Sequence, residues 1–204
     1  MVTLLETSAS ADRVLRMTID FDELATLIKS RRTSMFVDPQ REVPVDLVEQ
    51  LCDLAQWAPN HKRTWPWRFA LFTGHGRSRL GEAFVADMVD RDFGDEGKRA
   101  KTLTKYTRAP AVVVFGAAAD ANPSRHDENR DAVSAGIQNF MLAATALGLA
   151  TYWGTAPLID SPRVLALCGF EPDVRIINVM YLGWATDAQI VPERPPVSLT
   201  VISS

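Results

Sequence analysis

The run Ala111 to Ala118, AVVVFGAA, is the feature that most narrows the fold. It is continuously apolar, follows Pro110, and is too short for a buried helix of that composition. Such a run suits a central β-strand covered on both faces, because polar alternation disappears when neither face meets water. At 204 residues, 47% hydrophobic and 23% charged, the chain can bury a core without a staple. One main domain is expected over residues 20–190, with a flexible lead or arm at 1–19 and an extended arm at 191–204.

Three more strands follow from pattern: Arg68 to Phe72, ended by Thr73-Gly74; Ala150 to Trp153; and Val174 to Leu182. A first helix is expected from a cap at Asp20 or Asp22, with Phe21, Leu24, Leu27 and Ile28 on one face, running into Ser30-Arg31-Arg32-Thr33-Ser34. Pro44 opens a second, patterned on Leu47, Val48, Leu51, Leu54, Ala55 and Ala58 and stopped by Pro59. Residues 78–107 read as helical, highly charged and interrupted at Gly94 and Gly97. The longest helix is expected from about Asn129 to Leu147, with a stripe of Val133, Ile137, Phe140, Met141 and Ala144 and a terminating Gly148. Ser161-Pro162 supplies a cap and first-turn proline for a last helix, closed by Gly169. Helices and strands mix without regular βαβ spacing, which predicts an α+β fold. The tail carries Pro192, Pro195 and Pro196 and then the β-prone Val197 to Ile202, which reads as extended.

Several functions are disfavoured. A net charge of −3 and a pI near 5.6 argue against a nucleic-acid partner. No apolar run approaches the ~18 residues of a membrane span, and the N-terminus lacks the apolar core of a signal peptide. Cys52 and Cys168 are the only cysteines, both within apolar helical patterns, so buried thiols in a reducing cytoplasm are expected. His61, His75 and His126 show no metal-ligand spacing, so no metal is expected. The chain has no GxSxG elbow, no GxGxxG after a strand and no GxxxxGK[ST] loop.

Chemistry concentrates in three places. Trp57 to Phe69, WAPNHKRTWPWRF, holds three tryptophans, two prolines, a histidine and three cations. Arg31-Arg32-Thr33 and Tyr152-Trp153-Gly154-Thr155 are the other two. Together they offer what flavin mononucleotide (FMN) needs: guanidinium forks and a hydroxyl for the phosphate, aromatic walls for the ring, and backbone N–H groups beside a glycine for the ring edge and N5. A solvated cationic helix end, a loop histidine and an ordinary strand-to-loop turn account for the same residues, and composition leaves both readings open.

The ordered set of motifs resembles the flavin-dependent nitroreductases. Arg31-Arg32-Thr33-Ser34 is similar to that family's opening Arg-Arg-Ser, and Ala58-Pro59 with Pro66-Trp67-Arg68-Phe69 to its helix end and following strand. Ala58-Pro59-Asn60-His61-Lys62 resembles a small bacterial subgroup with a Pro-Asp-His-Lys loop. Gly148-Leu149-Ala150-Thr151-Tyr152-Trp153, Tyr181-Leu182-Gly183 and Arg194 continue the likeness, which covers roughly residues 21–200 in order. It implies a mainly antiparallel sheet flanked by helices, in an intertwined homodimer whose C-terminal arm wraps the partner. It also implies an NAD(P)H-dependent FMN oxidoreductase, using NADH or NADPH and reducing a small nitroaromatic or quinone-like acceptor by ping-pong chemistry. On that reading Arg31, Arg32, Thr33 and Arg194 meet the phosphate, and Trp153, Gly154 and Thr155 meet the ring edge. Trp57 and His61 lie against a flavin, that of the neighbouring subunit if the site forms between subunits, while Pro66-Trp67 pins the loop to the sheet. No catalytic residue is assigned. Met35 departs from the pattern, since many relatives carry a basic residue there. An FMN store or sensor without turnover and a flavin-free interaction dimer are the rival readings.

Overall fold

The computed structural model describes residues 20–187 and 190–203; the expected lead at residues 1–19 lies outside the described residues. Ala111–Ala117 forms β2, and each of its seven residues is buried. β2 pairs antiparallel with β1 (Trp67–Thr73) on one side and β4 (Arg175–Trp184) on the other. β3 (Leu149–Gly154) pairs antiparallel with β4, so the strand order is β1-β2-β4-β3. The α+β class and the antiparallel sheet are therefore as expected.

Both faces of β2 are covered, which explains the unbroken apolar run. Ala111, Val113 and Phe115 face a layer made by α2 (Val45–Ala55) and α5 (Pro123–Ala146). Phe115 packs edge-on against both Phe69 and Phe140 there, the geometry that aromatic quadrupoles favour. Val112 and Val114 face the opposite layer, where Leu80 and Phe84 of α3 (Gly76–Asp90) meet Val164 and Leu165 of α6 (Pro162–Cys168). The small residues of α5 serve the first layer. A Cβ at Gly136 would lie 2.5 Å from the Ala55 carbonyl oxygen and 2.7 Å from Trp67 Nε1, so α2 can approach α5 only across a glycine.

Asp20 caps α1 (Phe21–Ser30) by accepting from the Asp22 and Glu23 amides. The charged stretch expected as one interrupted helix is two, α3 and α4 (Glu96–Thr104), parted at Asp92 (φ 48°) and Gly94 (φ 75°). Gly97 lies within the first turn of α4 and interrupts nothing. α5 begins at Pro123, six residues ahead of the expected Asn129, because Asn122 caps the Ser124 and Arg125 amides and Pro123 takes the first position. Its first turns are charged and carry no stripe, so cap chemistry, not periodicity, marks the start. Both cysteines are half-buried, and burial, with the Glu49 charge adding at Cys52, pushes each thiol up to about 12 and keeps it protonated. Residues 190–203 have no regular secondary structure, and the β-prone Val197, Leu199, Val201 and Ile202 are exposed. Among the described residues no helix is long and apolar enough to cross a membrane.

One buried carboxylate ties α3 to α6. Asp87, 2% exposed, accepts from the Ser161 hydroxyl, the Arg163 amide and the Arg163 guanidinium, which also reaches Asp90. Burial alone would raise the Asp87 carboxyl, but the Ser161 and Arg163 hydrogen bonds outweigh it and hold the group below its ordinary value of 3.8. A carboxyl depressed on folding stabilises the fold fully above that value, and the contribution disappears as pH falls through the lower folded value. Asp87→Asn is therefore expected to cost about 2 kcal/mol or more at neutral pH. The wild-type and variant urea midpoints should converge as pH falls below 3.8. Parallel pH profiles would show that the charge of Asp87 does not contribute.

Candidate functional site

The first group of site residues sits where α1 runs out. Arg31 caps α1 in an extended conformation, and the chain then lies along the outer edge of β3. The Ser34 amide donates to the Thr151 carbonyl at 2.9 Å, and Thr33 bridges Thr151 in parallel. This pairing fixes the register of Arg31, Arg32 and Thr33 against the strand that ends in Trp153 and Gly154.

The cations here are crowded and unneutralised. Arg32 Nη1 donates to the Lys29 and Arg31 carbonyls at 2.6 Å each, and its Nε to the Ile190 carbonyl at 3.1 Å. Arg32 Nη2 is buried and has no hydrogen-bond partner among the described residues. Burial, then the positive charges of Arg32 and Arg194, holds the Arg31 guanidinium below its ordinary value. Arg194, far off in sequence, has thus come back to the end of α1. Among the described residues none of the three forms an ion pair with a carboxylate. Burying an unpaired guanidinium donor beside like charges is costly unless an anion completes the site. The donor set suits a phosphate: fork-shaped guanidinium groups with a threonine hydroxyl next to them.

Met35 is half-buried and packs against the layer containing Val112, Val114 and Tyr181. The position where the resemblance predicts a basic residue holds a half-buried apolar side chain here. Tyr152 and Trp153 are each 36% exposed at the β3 edge. A Cβ at Gly154 would lie 2.7 Å from the Val179 carbonyl oxygen and 2.9 Å from the Tyr181 ring. Packing within the sheet is therefore sufficient to require that glycine. Thr155 follows it onto the wall of a cleft of about 730 Å³ whose far side is α4.

The second group is the loop after α2. Trp57 is 79% exposed and Trp65 59%, so neither is a core residue in this chain. His61 opens a single 3-10 turn, His61–Arg63, and Lys62, Arg63 and Trp65 have φ of 60°, 53° and 50°. Three side-chain-bearing residues in the left-handed region within four positions is costly, and such strain persists only where surroundings impose it. Asn60 Nδ2 donates to Thr64 Oγ1 at 2.9 Å, and Thr64 Oγ1 donates to Asn129 Oδ1 at 2.5 Å. Asn129, itself buried, donates on to the Ala118 carbonyl at 3.0 Å. Asn60 Oδ1 also takes the Trp65 amide at 3.0 Å. Trp67 is buried and its Nε1 donates to the Ala132 carbonyl at 3.3 Å, so it anchors the loop as expected. Arg68 forks onto Glu171 at 2.8 and 2.9 Å, and that bond holds the Glu171 carboxyl at about 2. His61 Nδ1 lies 2.8 Å from Glu128 Oε2, both side chains largely in solvent.

Arg31, Arg32, Thr33 and Arg194 thus come together beside β3, with Trp153, Gly154 and Thr155 on the adjoining strand end. His61 sits over the start of α5 through Glu128, Trp57 is exposed at the end of α2, and among the described residues no hydrogen bond or ion pair joins either to the Arg31 group. Glu128 was not legible as a site residue because it lies ahead of the expected start of the helix, and Asn129 because nothing local places it under Thr64.

Comparisons with known proteins follow this geometry. The model of the nitroreductase family matches residues 28–184. A nitroreductase-like family protein from Bacillus cereus superposes with a TM-score of 0.76 and 27% identity, covering 98% of this chain and 100% of that one. The FMN-dependent nitroreductase NfnB of Mycobacterium smegmatis, solved with NADPH, superposes at 0.65 with 25% identity, covering 85% of this chain and 95% of that one. A chloronitrobenzene nitroreductase of Comamonas testosteroni is 37% identical over 81% of this chain and 88% of its own length.

The relay from Asn60 through Thr64 to Asn129 makes the loop's strain testable. Thr64→Val should remove the relay's centre without changing shape and cost about 1–3 kcal/mol in urea unfolding. It should also make the Trp57 to Trp67 segment cleavable by trypsin at Lys62 or Arg63 in the folded protein. Wild-type resistance would show that the loop is held by other means.

Proposed function

The chain belongs to the nitroreductase family, and on that premise we propose that it is an NAD(P)H-dependent FMN oxidoreductase whose flavin phosphate is held by Arg31, Arg32, Thr33 and Arg194. The observation that carries the assignment is the buried Nη2 of Arg32, unpartnered among the described residues, beside two further guanidinium groups. When bound, FMN supplies hydride acceptance from NADH or NADPH and electron delivery to a small electron-poor acceptor, the two half-reactions sharing one site in ping-pong order. The protein's share is binding and orientation. Arg31 and Arg32 present forked donors to the phosphate, Thr33 adds a hydroxyl, and Arg194 closes the site from the tail. Backbone N–H groups of Trp153, Gly154 and Thr155 lie at the β3 end, where the ring edge would rest. A nitroaromatic or quinone-like acceptor suits a ring face walled by tryptophan, and a relative is named for chloronitrobenzene.

The site is completed by a second copy of the chain. Trp57 and His61 are exposed, and a neighbouring subunit's flavin gives them a purpose. Phe21, Leu24 and Ile28 leave the apolar face of α1 exposed at 79%, 41% and 47%, more than a lone subunit would tolerate. β1 is an open edge strand flanked by an apolar cleft of about 320 Å³ lined by Val45, Val48, Phe69 and Leu71. The tail, residues 191–204, is β-prone, its residues 191–203 are exposed, and it has the composition to reach such an edge on its partner. A domain over residues 20–190 with a separate arm follows, and two unpaired thiols suit a reducing cytoplasm. Met35 gives the alternative, an FMN store or sensor without turnover, its one support: no basic side chain at that position meets the charge of a reduced flavin.

Alanine at both Arg31 and Arg32 is expected to weaken FMN binding by roughly 2–5 kcal/mol in a fluorescence titration. An unchanged titration would move the phosphate elsewhere. The visible flavin bands of the purified protein should bleach anaerobically with NADPH or NADH; bands that persist with both would favour the store or sensor. His61→Ala should shift the flavin spectrum or its affinity, and a wild-type spectrum and affinity would remove His61 from the site.

A further inference from the structure

The cleft that Thr155 borders is walled on its far side by lysines. Lys98, Lys101 and Lys105 recur at three- and four-residue spacing along α4 and the turn that follows it, and all three line the cleft with Phe93 and Pro157. Like charges at this spacing repel, so the row lowers the stability of α4. Several arginines elsewhere on the surface have carboxylate partners. Arg91 pairs with Asp160, Arg125 with Asp120, and Arg99, also on α4, with Asp92. None of the three lysines forms an ion pair among the described residues. The Lys98 ammonium rests 4.1 Å from the centre of the Phe93 ring, and that of Lys105 lies 5.0 Å from the Tyr106 ring. Asp95 is the single carboxylate on the lining, and its Oδ1 is engaged by the Lys98 amide at 2.6 Å as the cap of α4. Burial, then the charges of Arg108 and Lys98, lowers the Lys105 ammonium from its ordinary value, in keeping with a cation that lacks a counter-charge.

We propose that this lysine row is a specificity-determining wall, receiving an anionic group, carboxylate or phosphate, on the molecule that docks beside Thr155. The inference rests on the flavin reading only in placing Thr155 at the edge of the redox site. Two sources can bring that anion: a carboxylate on the acceptor, or the 2′-phosphate that separates NADPH from NADH. In either case the lysines select by charge.

The test is isothermal titration of the protein as purified with two matched pairs, 4-nitrobenzoate against 4-nitrobenzyl alcohol and NADP⁺ against NAD⁺. The anionic or extra-phosphate member of at least one pair should bind about tenfold more tightly. The preference should shrink with added salt, since the cleft is open to solvent. Lys101→Gln with Lys105→Gln should bring the ratio close to one, and Lys101→Glu alone, at an exposed position, should turn it against the anion. A preference in the first pair assigns the anion to the acceptor, and in the second to the donor. Equal affinities within both pairs, or a preference untouched by the substitutions, overturn the proposal. Flavin absorption of the same samples separates the two readings. A yellow protein indifferent to charge sinks the lysine wall alone; a colourless protein that FMN cannot restore, yet that still prefers the anion, sinks the flavin reading alone.

Discussion

Burial of β2 on both faces is the constraint from which the other elements take their places. Fully burying each Val or Phe of that strand contributes roughly 1.5–3 kcal/mol, but only if two separate layers are built over the sheet. The α2–α5 layer and the α3–α6 layer are those two, and each puts one part of the site where it is. α5 carries the Trp57 to Trp67 loop on its first turns through Asn129 and Ala132. The α3 side carries α4 and its lysines. The strand next to β2, β4, in turn sets β3 at the sheet's edge, and Thr33 and Ser34 pair with that edge at Thr151. The segment then pairs with the end of β4, where the Asp38 amide bonds to the Trp184 carbonyl and the Thr186 amide to the Phe36 carbonyl, at 2.9 and 3.1 Å. The arginines at the end of α1 are thus positioned by backbone pairing to the sheet rather than by their own side chains.

Charge is distributed in two distinct ways over this molecule. Six arginines, Arg68, Arg91, Arg99, Arg125, Arg130 and Arg163, each pair with a carboxylate among the described residues, and such pairs contribute little individually. Among the cations without a carboxylate partner, two groups cluster: Arg31, Arg32 and Arg194, and the lysine row of α4. Both are same-sign clusters that cost folding energy, the first beside Thr151 of β3 and the second across the cleft from Thr155, just beyond that strand. Unmatched cations gathered around one strand end are hard to explain by folding alone and easy to explain by ligands that bring the opposite charge.

Much of this was legible from local chemistry. AVVVFGAA announced a strand with no exposed face, and Ser161-Pro162 with Gly169 marked both ends of α6 through cap, first-turn proline and a left-handed glycine at φ 70°. The family was legible because its motifs fall in order, each weak alone. What escaped was set by distance in sequence. Nothing local places Arg194 beside Arg31, or Asn129 under Thr64. The start of α5 escaped because its first turns bury nothing until Asn129, so no stripe exists to be counted. Met35 and Gly154 show a further limit. Both stand at positions where a ligand is expected, and packing within the chain is sufficient to explain each.

The lysine wall would be of little use if α4 moved freely against the sheet, and an aromatic stack prevents that. Tyr152, at the β3 edge, meets Tyr181 of β4 edge-on at 5.8 Å. Tyr181 stacks on Tyr106, which follows α4, at 6.0 Å and 16°, and Tyr106 stacks on Phe84 of α3 at 5.6 Å and 27°. Lys105 and Arg108 place cations over the rings of Tyr106 and Tyr181. Four rings therefore run from the strand that carries Trp153 to the helical layer that carries the lysines. Each contact contributes on the order of 1 kcal/mol beyond its buried area, and a stack has narrow tolerance for sliding. The separation between Thr155 and the lysines is thus fixed by the core itself, so an anion reaching the wall meets charges already in position and loses little affinity to ordering them.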